Sequence, residues 1–161
     1  MNTTNHDQQI QVLIDQAPQY GANPADVQAI APGLKAIASR LKHPQYFILQ
    51  TLEQNWLMTT LANRTQSNLT KNAVYAFPTF EDASAHYQGS NDQQMVALPI
   101  PAIHILFQML AMKPVDSIVF FETPGDLQSG TEISRQNLFD TIRFHVQKNR
   151  SSQPNLPSDI A

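Results

Sequence analysis

From residue 45 onward, short runs of strand-forming residues alternate with segments of helical periodicity. The runs QYFILQTL and NWLMTTLAN follow closely on one another and predict an antiparallel hairpin. AVYAF, MVALPI and DSIVFFE are three further strand candidates, each followed by a helix-like segment. Strand–helix–strand units of this kind join parallel strands by right-handed crossovers. The order β-β-β-α-β-α-β-α therefore predicts an α/β protein, on the border with α+β, with a mixed five-stranded sheet.

Two helical segments are predicted before this sheet. Apolar residues recur between Ile10 and Ala17 at the spacing of one helix face. In the second segment, Asn23 is expected to cap the helix and Pro24 to occupy its first position. The pair Pro32–Gly33 is expected to kink or split this helix. Whether these helices cover a face of the sheet or form an interface is left open by the sequence.

The later helices carry boundary signals of the same kind. Thr79 is the expected N-cap of the helix that follows AVYAF. Pro101 stands in the first turn of a heavily apolar helix, which should be buried. The last helix is predicted to span Ile133–Gln147. The domain organisation is therefore a helical segment at 1–44 packed on the domain, an α/β domain at 45–148, and a disordered tail at 149–161.

Composition excludes several classes of function. The chain has 161 residues, a net charge of −3 and no cysteine, so thiol catalysis, disulfides and thiolate metal sites are excluded. Lysine and arginine form no cluster of the kind that binds nucleic acid. The longest apolar stretch, Leu98–Met112, is shorter than the roughly 20 residues that span a bilayer. Because the N-terminal residues lack the pattern of a secretion signal, we expect a cytoplasmic protein that binds neither nucleic acid nor membrane.

Sequence motifs for catalysis and cofactor binding are missing. No Gly-X-Ser-X-Gly, Gly-X-Gly-X-X-Gly or Walker loop occurs. The five histidines include no pair at i, i+4 spacing and no His-Glu-X-X-His run. The sequence therefore predicts no catalytic residue, no metal site and no cofactor, and it favours a non-enzymatic role.

One stretch resembles a known family. AVYAFPTFEDASAHY, the helix after ALPIPA, and the strand and turn SIVFFETPGD are similar to the SseB amino-terminal family. The resemblance covers roughly Tyr46–Asp126, about half the chain. The sequence departs from the family at Thr123, where the family has asparagine. Residues 77–80 match the Phe-Thr pair of the family only loosely. The resemblance implies an α/β fold without established catalytic residues.

The junction Glu122-Thr123-Pro124-Gly125-Asp126 has two interpretations. Ligands gather at the carboxyl ends of strands in open α/β sheets, so the junction could bind a small ligand. The residues of that candidate ligand site are Glu122, Thr123, Gly125, Asp126, Thr131 and Arg135. The alternative is a Pro-Gly turn followed by acids that favour a helix start. We favour the turn, because carboxylates without a nearby base or phosphate loop lack defined chemistry.

Aromatic residues suggest a surface for protein contact. Phe120 and Phe121 are neighbours on one strand, so they point to opposite faces of the sheet. Either helices cover both faces, or one phenylalanine is exposed at an interface. Trp56 raises the same question, and His104 is expected to be a core or interface histidine. The leading hypothesis is a protein–protein interaction or self-association module that forms a homo-oligomer. The alternative is a small-ligand-binding protein or an enzyme with its site at the carboxyl end of the fifth strand, Glu122–Asp126.

Overall fold

The computed structural model describes residues 3–62, 70–88 and 94–152, and the fold they form is α/β. Asn23 caps its helix as predicted, because its side chain accepts the N–H of Ala25 at 2.8 Å. Thr79 likewise accepts the N–H of Asp82 at 3.0 Å.

The elements in chain order are α1 (Thr3–Gln16), a 3-10 turn (Ala17–Tyr20), α2 (Pro24–Ala38), β1 (Gln45–Thr51), β2 (Thr59–Ala62), β3 (Thr70–Phe77), α3 (Phe80–Gln88), β4 (Met95–Pro101), α4 (Ala102–Ala111), β5 (Ser117–Phe121), β6 (Gly130–Ser134) and α5 (Arg135–Ser152).

The sheet is mixed and has six strands in the described part of the chain. Five of them lie in the order β4-β1-β3-β5-β6, and β2 pairs with β3 outside this path. β3 and β5 are parallel neighbours, whereas β1 runs antiparallel to both β3 and β4. β6 is antiparallel to β5 and forms one edge, while β4 forms the other.

The predicted hairpin forms only at its turn, and β1 and β2 themselves do not pair with each other. β1 opposes the carboxyl end of β3, with Phe47 across from Phe77, whereas β2 opposes the amino end of β3, with Ala62 across from Thr70. The two strands therefore run in the same direction along one edge of β3. Between them a tight loop is closed by a single bridge from Gln50 to Trp56. β3 has eight residues, which is long enough to accept both short strands.

The end of the chain also differs from the prediction. GTEIS forms β6, so the sheet has six strands and not five, and α5 begins at Arg135 and not at Ile133. The exposed edge of β5 offers unpaired backbone groups, and pairing with them outweighs the weak helix preference of this segment. α5 continues to Ser152, so its backbone includes the first four residues of the predicted tail. The rest of that tail, residues 153–161, lies outside the described residues.

Helices cover the two faces of the sheet unequally. α1, α2, α4 and α5 bury the larger core on one face, together with sheet residues such as Tyr46, Ile118 and Phe120. On the other face, α3 is the one helix of the described ranges, and it packs over a smaller core that contains Phe77 and Phe121. The N-terminal helices therefore cover the sheet. Gln9 of α1 fixes this packing, because its side-chain oxygen accepts the N–H of Ile103 at 2.9 Å.

α2 runs through Pro32–Gly33 as one helix and is not split there. It packs against α5 so closely that a Cβ on Gly33 would lie 2.6 Å from the Cα of Ile142. Glycine is therefore needed at this crossing, and the contact with α5 outweighs the helix-breaking tendency of the Pro-Gly pair. Across the ranges described, no helix combines the length and the apolar character needed to cross a membrane.

Candidate functional site

The junction after β5 is organised around the side chain of Glu122, which is only 8% exposed. Its Oε1 accepts hydrogen bonds from the Tyr46 hydroxyl and, at 3.3 Å, from the N–H of Lys42. Its backbone carbonyl lies 2.6 Å from Nε2 of His43, which donates to it. Glu122 thus ties the end of β5 to the connection between α2 and β1.

Tyr46 is fully buried and serves Glu122 as a donor. Burial, followed by the hydrogen bond to the carboxylate, raises the pKa of the Tyr46 hydroxyl well above its ordinary value. The phenol therefore keeps its proton and remains a donor throughout the neutral range. Among the described residues, the second carboxylate oxygen of Glu122, Oε2, is buried and has no hydrogen-bond partner. The carboxylate consequently depends on Tyr46 and Lys42 for its stabilisation inside the protein.

The turn that follows Glu122 is held by internal hydrogen bonds. The N–H of Asp126 donates to the carbonyl of Thr123 at 3.0 Å, and Gly125 has a positive φ of 82°. The N–H of Gly125 donates to the carboxylate of Asp82 on α3, at 3.1 Å to Oδ2. Asp126 in turn accepts the N–H of Gln128 at 2.9 Å. These contacts are those of a Pro-Gly turn docked on α3, and they give each acid a structural role.

Thr131 and Arg135 lie at opposite ends of β6. Thr131 pairs with Phe120 near the carboxyl end of β5, whereas Ser134 pairs with Ser117 at the amino end. Arg135 follows Ser134 and donates from Nε and Nη2 to the carbonyls of Met109 and Leu110, at 3.1 and 2.7 Å. It therefore closes the carboxyl end of α4. Its predicted grouping with Glu122 is wrong, because β6 runs antiparallel to β5 and carries it to the far end of the sheet.

The aromatic residues predicted at an interface are covered within a single chain. Phe120 is 0% exposed beneath the four-helix layer, and Phe121 is 8% exposed and stacks on Phe77 at 5.5 Å between ring centroids. Trp56 is 9% exposed. The prediction that these three side chains mark an interface is therefore wrong, since both faces are covered by helices. His104 also has an internal contact, because its Nε2 lies 3.2 Å from the carbonyl of Gln9.

In the part of the chain that the structure describes, two grooves outside the junction lie beside α4. One, of about 320 Å³, separates α1 from the start of α4 and includes Gln8, Pro44 and His104. The other, of about 500 Å³, is more apolar and lies beside the carboxyl end of α4, between Tyr20, Phe107 and Phe139. The guanidinium of Arg135 lies 4.8 Å from the centre of the Phe139 ring. Within the described ranges, no three histidine or acidic side chains are grouped so that they could hold a metal ion.

Residues of β4 form an exposed apolar surface that the sequence analysis missed. Val96 and Leu98 are 38% and 42% exposed. They lie opposite Gln50 and Ile48 of β1, both buried, and therefore on the face that carries the four-helix layer. That layer stops short of this part of the edge strand. The signal available in the sequence was MVALPIP itself, a strand without charge whose two prolines are typical of an edge.

No family model matches the chain, and no curated protein matches it significantly.

Proposed function

We propose that the protein is a protein–protein interaction module that associates with itself through the edge strand β4. The observation that carries this proposal is the exposure of Val96 and Leu98 on the sheet face where neighbouring side chains form the core. Apolar residues at such positions favour pairing with another strand when, as for β4 among the described strands, one edge of the strand has no neighbour.

The chemistry of β4 favours a second copy of the chain as the binding partner. Residues 95–101 include no charged side chain, so a charged partner would find no complement there. An identical strand supplies matching apolar side chains, and a two-fold axis brings the same surface of each copy together. The strand alone is smaller than a standard interface, so we expect a weak dimer with a micromolar Kd.

Sedimentation velocity tests the self-association over concentrations from about 5 to 500 μM, which bracket a micromolar Kd. We expect a monomer–dimer equilibrium for the natural sequence and a monomer for the variant with Val96→Lys and Leu98→Lys. Phe144→Lys is the matched control, because Phe144 is 59% exposed but lies on α5. A natural chain that stays monomeric at every concentration, or a control that dissociates equally, would contradict the proposal.

The alternative function, binding of a small ligand at Glu122–Asp126, has less structural support. The acids of that junction accept hydrogen bonds from Tyr46, Lys42 and Gln128. A ligand screen by thermal shift distinguishes the two functions. A hit that is abolished by Asp126→Asn, in a variant that melts like the natural chain, would favour ligand binding over self-association alone.

We further propose a cytoplasmic location and kinship of Tyr46–Asp126 with the SseB amino-terminal family. The lack of cysteine supports the location, since the fold needs no oxidising compartment. The strand and helix order from β3 to β5 supports the kinship. Fractionation of cells that produce the protein tests the location, and its recovery with membranes would contradict it.

A further inference from the structure

We propose that two copies of β4 pair antiparallel about a two-fold axis at Ala97, so that one six-stranded sheet continues into the other. This inference rests on the proposed self-association and adds the register of the contact. It follows from which backbone groups of β4 point outward and from where its prolines stand.

The backbone hydrogen bonds show which residues of β4 face the free edge. Gln45 and Pro101 are paired across β1 and β4, and the N–H of Ala102 donates to the carbonyl of Pro44 at 2.9 Å. A hydrogen bond between the residues next to a pair shows that the pair itself is not hydrogen-bonded. Hydrogen-bonded and non-hydrogen-bonded pairs alternate along an antiparallel ladder. The odd-numbered residues of β4 therefore direct their N–H and C=O groups away from β1.

Prolines limit the donors at this edge. Pro99 points outward but has no N–H, which leaves Met95 and Ala97 as the outward donors of the strand. With the axis at Ala97, the two copies of Ala97 exchange two hydrogen bonds. The N–H of each Met95 then faces the carbonyl of Pro99 in the other copy, so that all four donors are used. An axis at Val96 also uses four donors, but it overlaps fewer residues of the strand. An axis at Leu98 uses them too, but it sets both Pro99 and Pro101 of each copy against carbonyls that then receive no donor, whereas the axis at Ala97 does so with Pro99 alone.

The exposed side chains distinguish the axis at Ala97 from the axis at Val96. With the axis at Ala97, Val96 of each copy lies opposite Leu98 of the other, so all four exposed side chains become covered. With the axis at Val96, the two valines meet and each Leu98 lies opposite the polar Gln94. Burial of apolar surface therefore favours the axis at Ala97.

Disulfide trapping tests the register, because the chain contains no cysteine and each variant then carries a single thiol. Directly opposed residues of an antiparallel pair have Cα atoms about 4.5–5.5 Å apart, which a disulfide can bridge. We expect Ala97→Cys to crosslink with itself on mild oxidation, and Val96→Cys to crosslink with Leu98→Cys when the two are mixed. Ala29→Cys, on the exposed side of α2, measures crosslinking by random collision.

The outcomes separate the register from the self-association itself. Faster crosslinking of Val96→Cys alone than of Ala97→Cys would overturn the register while leaving association through β4 intact. Crosslinking of all β4 variants at the rate of Ala29→Cys, in a chain that sediments as a dimer, would overturn pairing through β4. A chain that sediments as a monomer would overturn both proposals. Sedimentation of reduced Ala97→Cys shows whether the substitution itself has prevented association.

Discussion

Replacing Tyr46 with phenylalanine tests whether the junction after β5 is a structural tie. The substitution removes one hydroxyl and leaves a ring of similar shape in a fully buried site. That hydroxyl donates to Oε1 of Glu122 and accepts the N–H of His43 at 3.2 Å. Without it, a carboxylate that is 8% exposed retains only the N–H of Lys42, at 3.3 Å, for Oε1.

The expected loss follows from these contacts. Hydrogen bonds to charged groups contribute about 1.5–3 kcal/mol, and a buried group left without its donor adds to the cost. We therefore expect Tyr46→Phe to lower the free energy of unfolding by about 2–3 kcal/mol. For a chain of this size, that corresponds to a fall in Tm of about 4–12 °C. Urea unfolding followed by fluorescence of Trp56, the only tryptophan, measures the loss.

Two further variants make the test specific. Tyr20→Phe is the matched control, because the Tyr20 hydroxyl bonds Gln16 at the exposed surface and its loss should cost less than about 0.5 kcal/mol. The double variant Tyr46→Phe with Glu122→Leu should lose less stability than the sum of its single variants, since both partners are then apolar. A loss for Tyr46→Phe no larger than that for Tyr20→Phe would refute the reasoning. Stabilisation by Glu122→Leu alone would instead indicate a carboxylate kept for function.

Two other predictions concern helix packing and pH. Gly33→Ala should gain about 1 kcal/mol of helix propensity but lose more through overlap with the backbone of Ile142. We expect urea unfolding to show a net fall of about 1–2 kcal/mol in the free energy of unfolding. A more stable variant would contradict the close crossing of α2 and α5. Burial lowers the pKa of both His86 and His104, so their contribution to stability is present above the unfolded pKa of about 6.5 and is lost as pH falls below it. We expect a lower Tm at about pH 5.5 than at about pH 7.5, and a weaker pH dependence when both are replaced by asparagine. A Tm that rises on acidification would show that the folded chain does not favour neutral imidazoles at these sites.

The sequence determined the fold class and several helix starts. Strand-like and helix-like periods alternate from residue 45, and the sheet is mixed as this order predicts. The caps at Asn23 and Thr79 also follow from the sequence, because each depends on residues two or three positions away. Such features are local, so the chain specifies them before any distant contact forms.

Tertiary structure decided which strands pair and which residues meet. The segment from Gly130 to Ser134 became a strand because β5 offered an edge, and this placed Arg135 far from Glu122. At the other edge, the pairing of β4 with β1 left Val96 and Leu98 exposed, whereas Phe121 and Glu122 became buried. Strand pairing and burial depend on residues distant in sequence, because packing against cross-strand and same-face neighbours decides between competing strand partners. A local sequence pattern carries no information about which strands will pair, so the pairing is decided only when the sheet assembles.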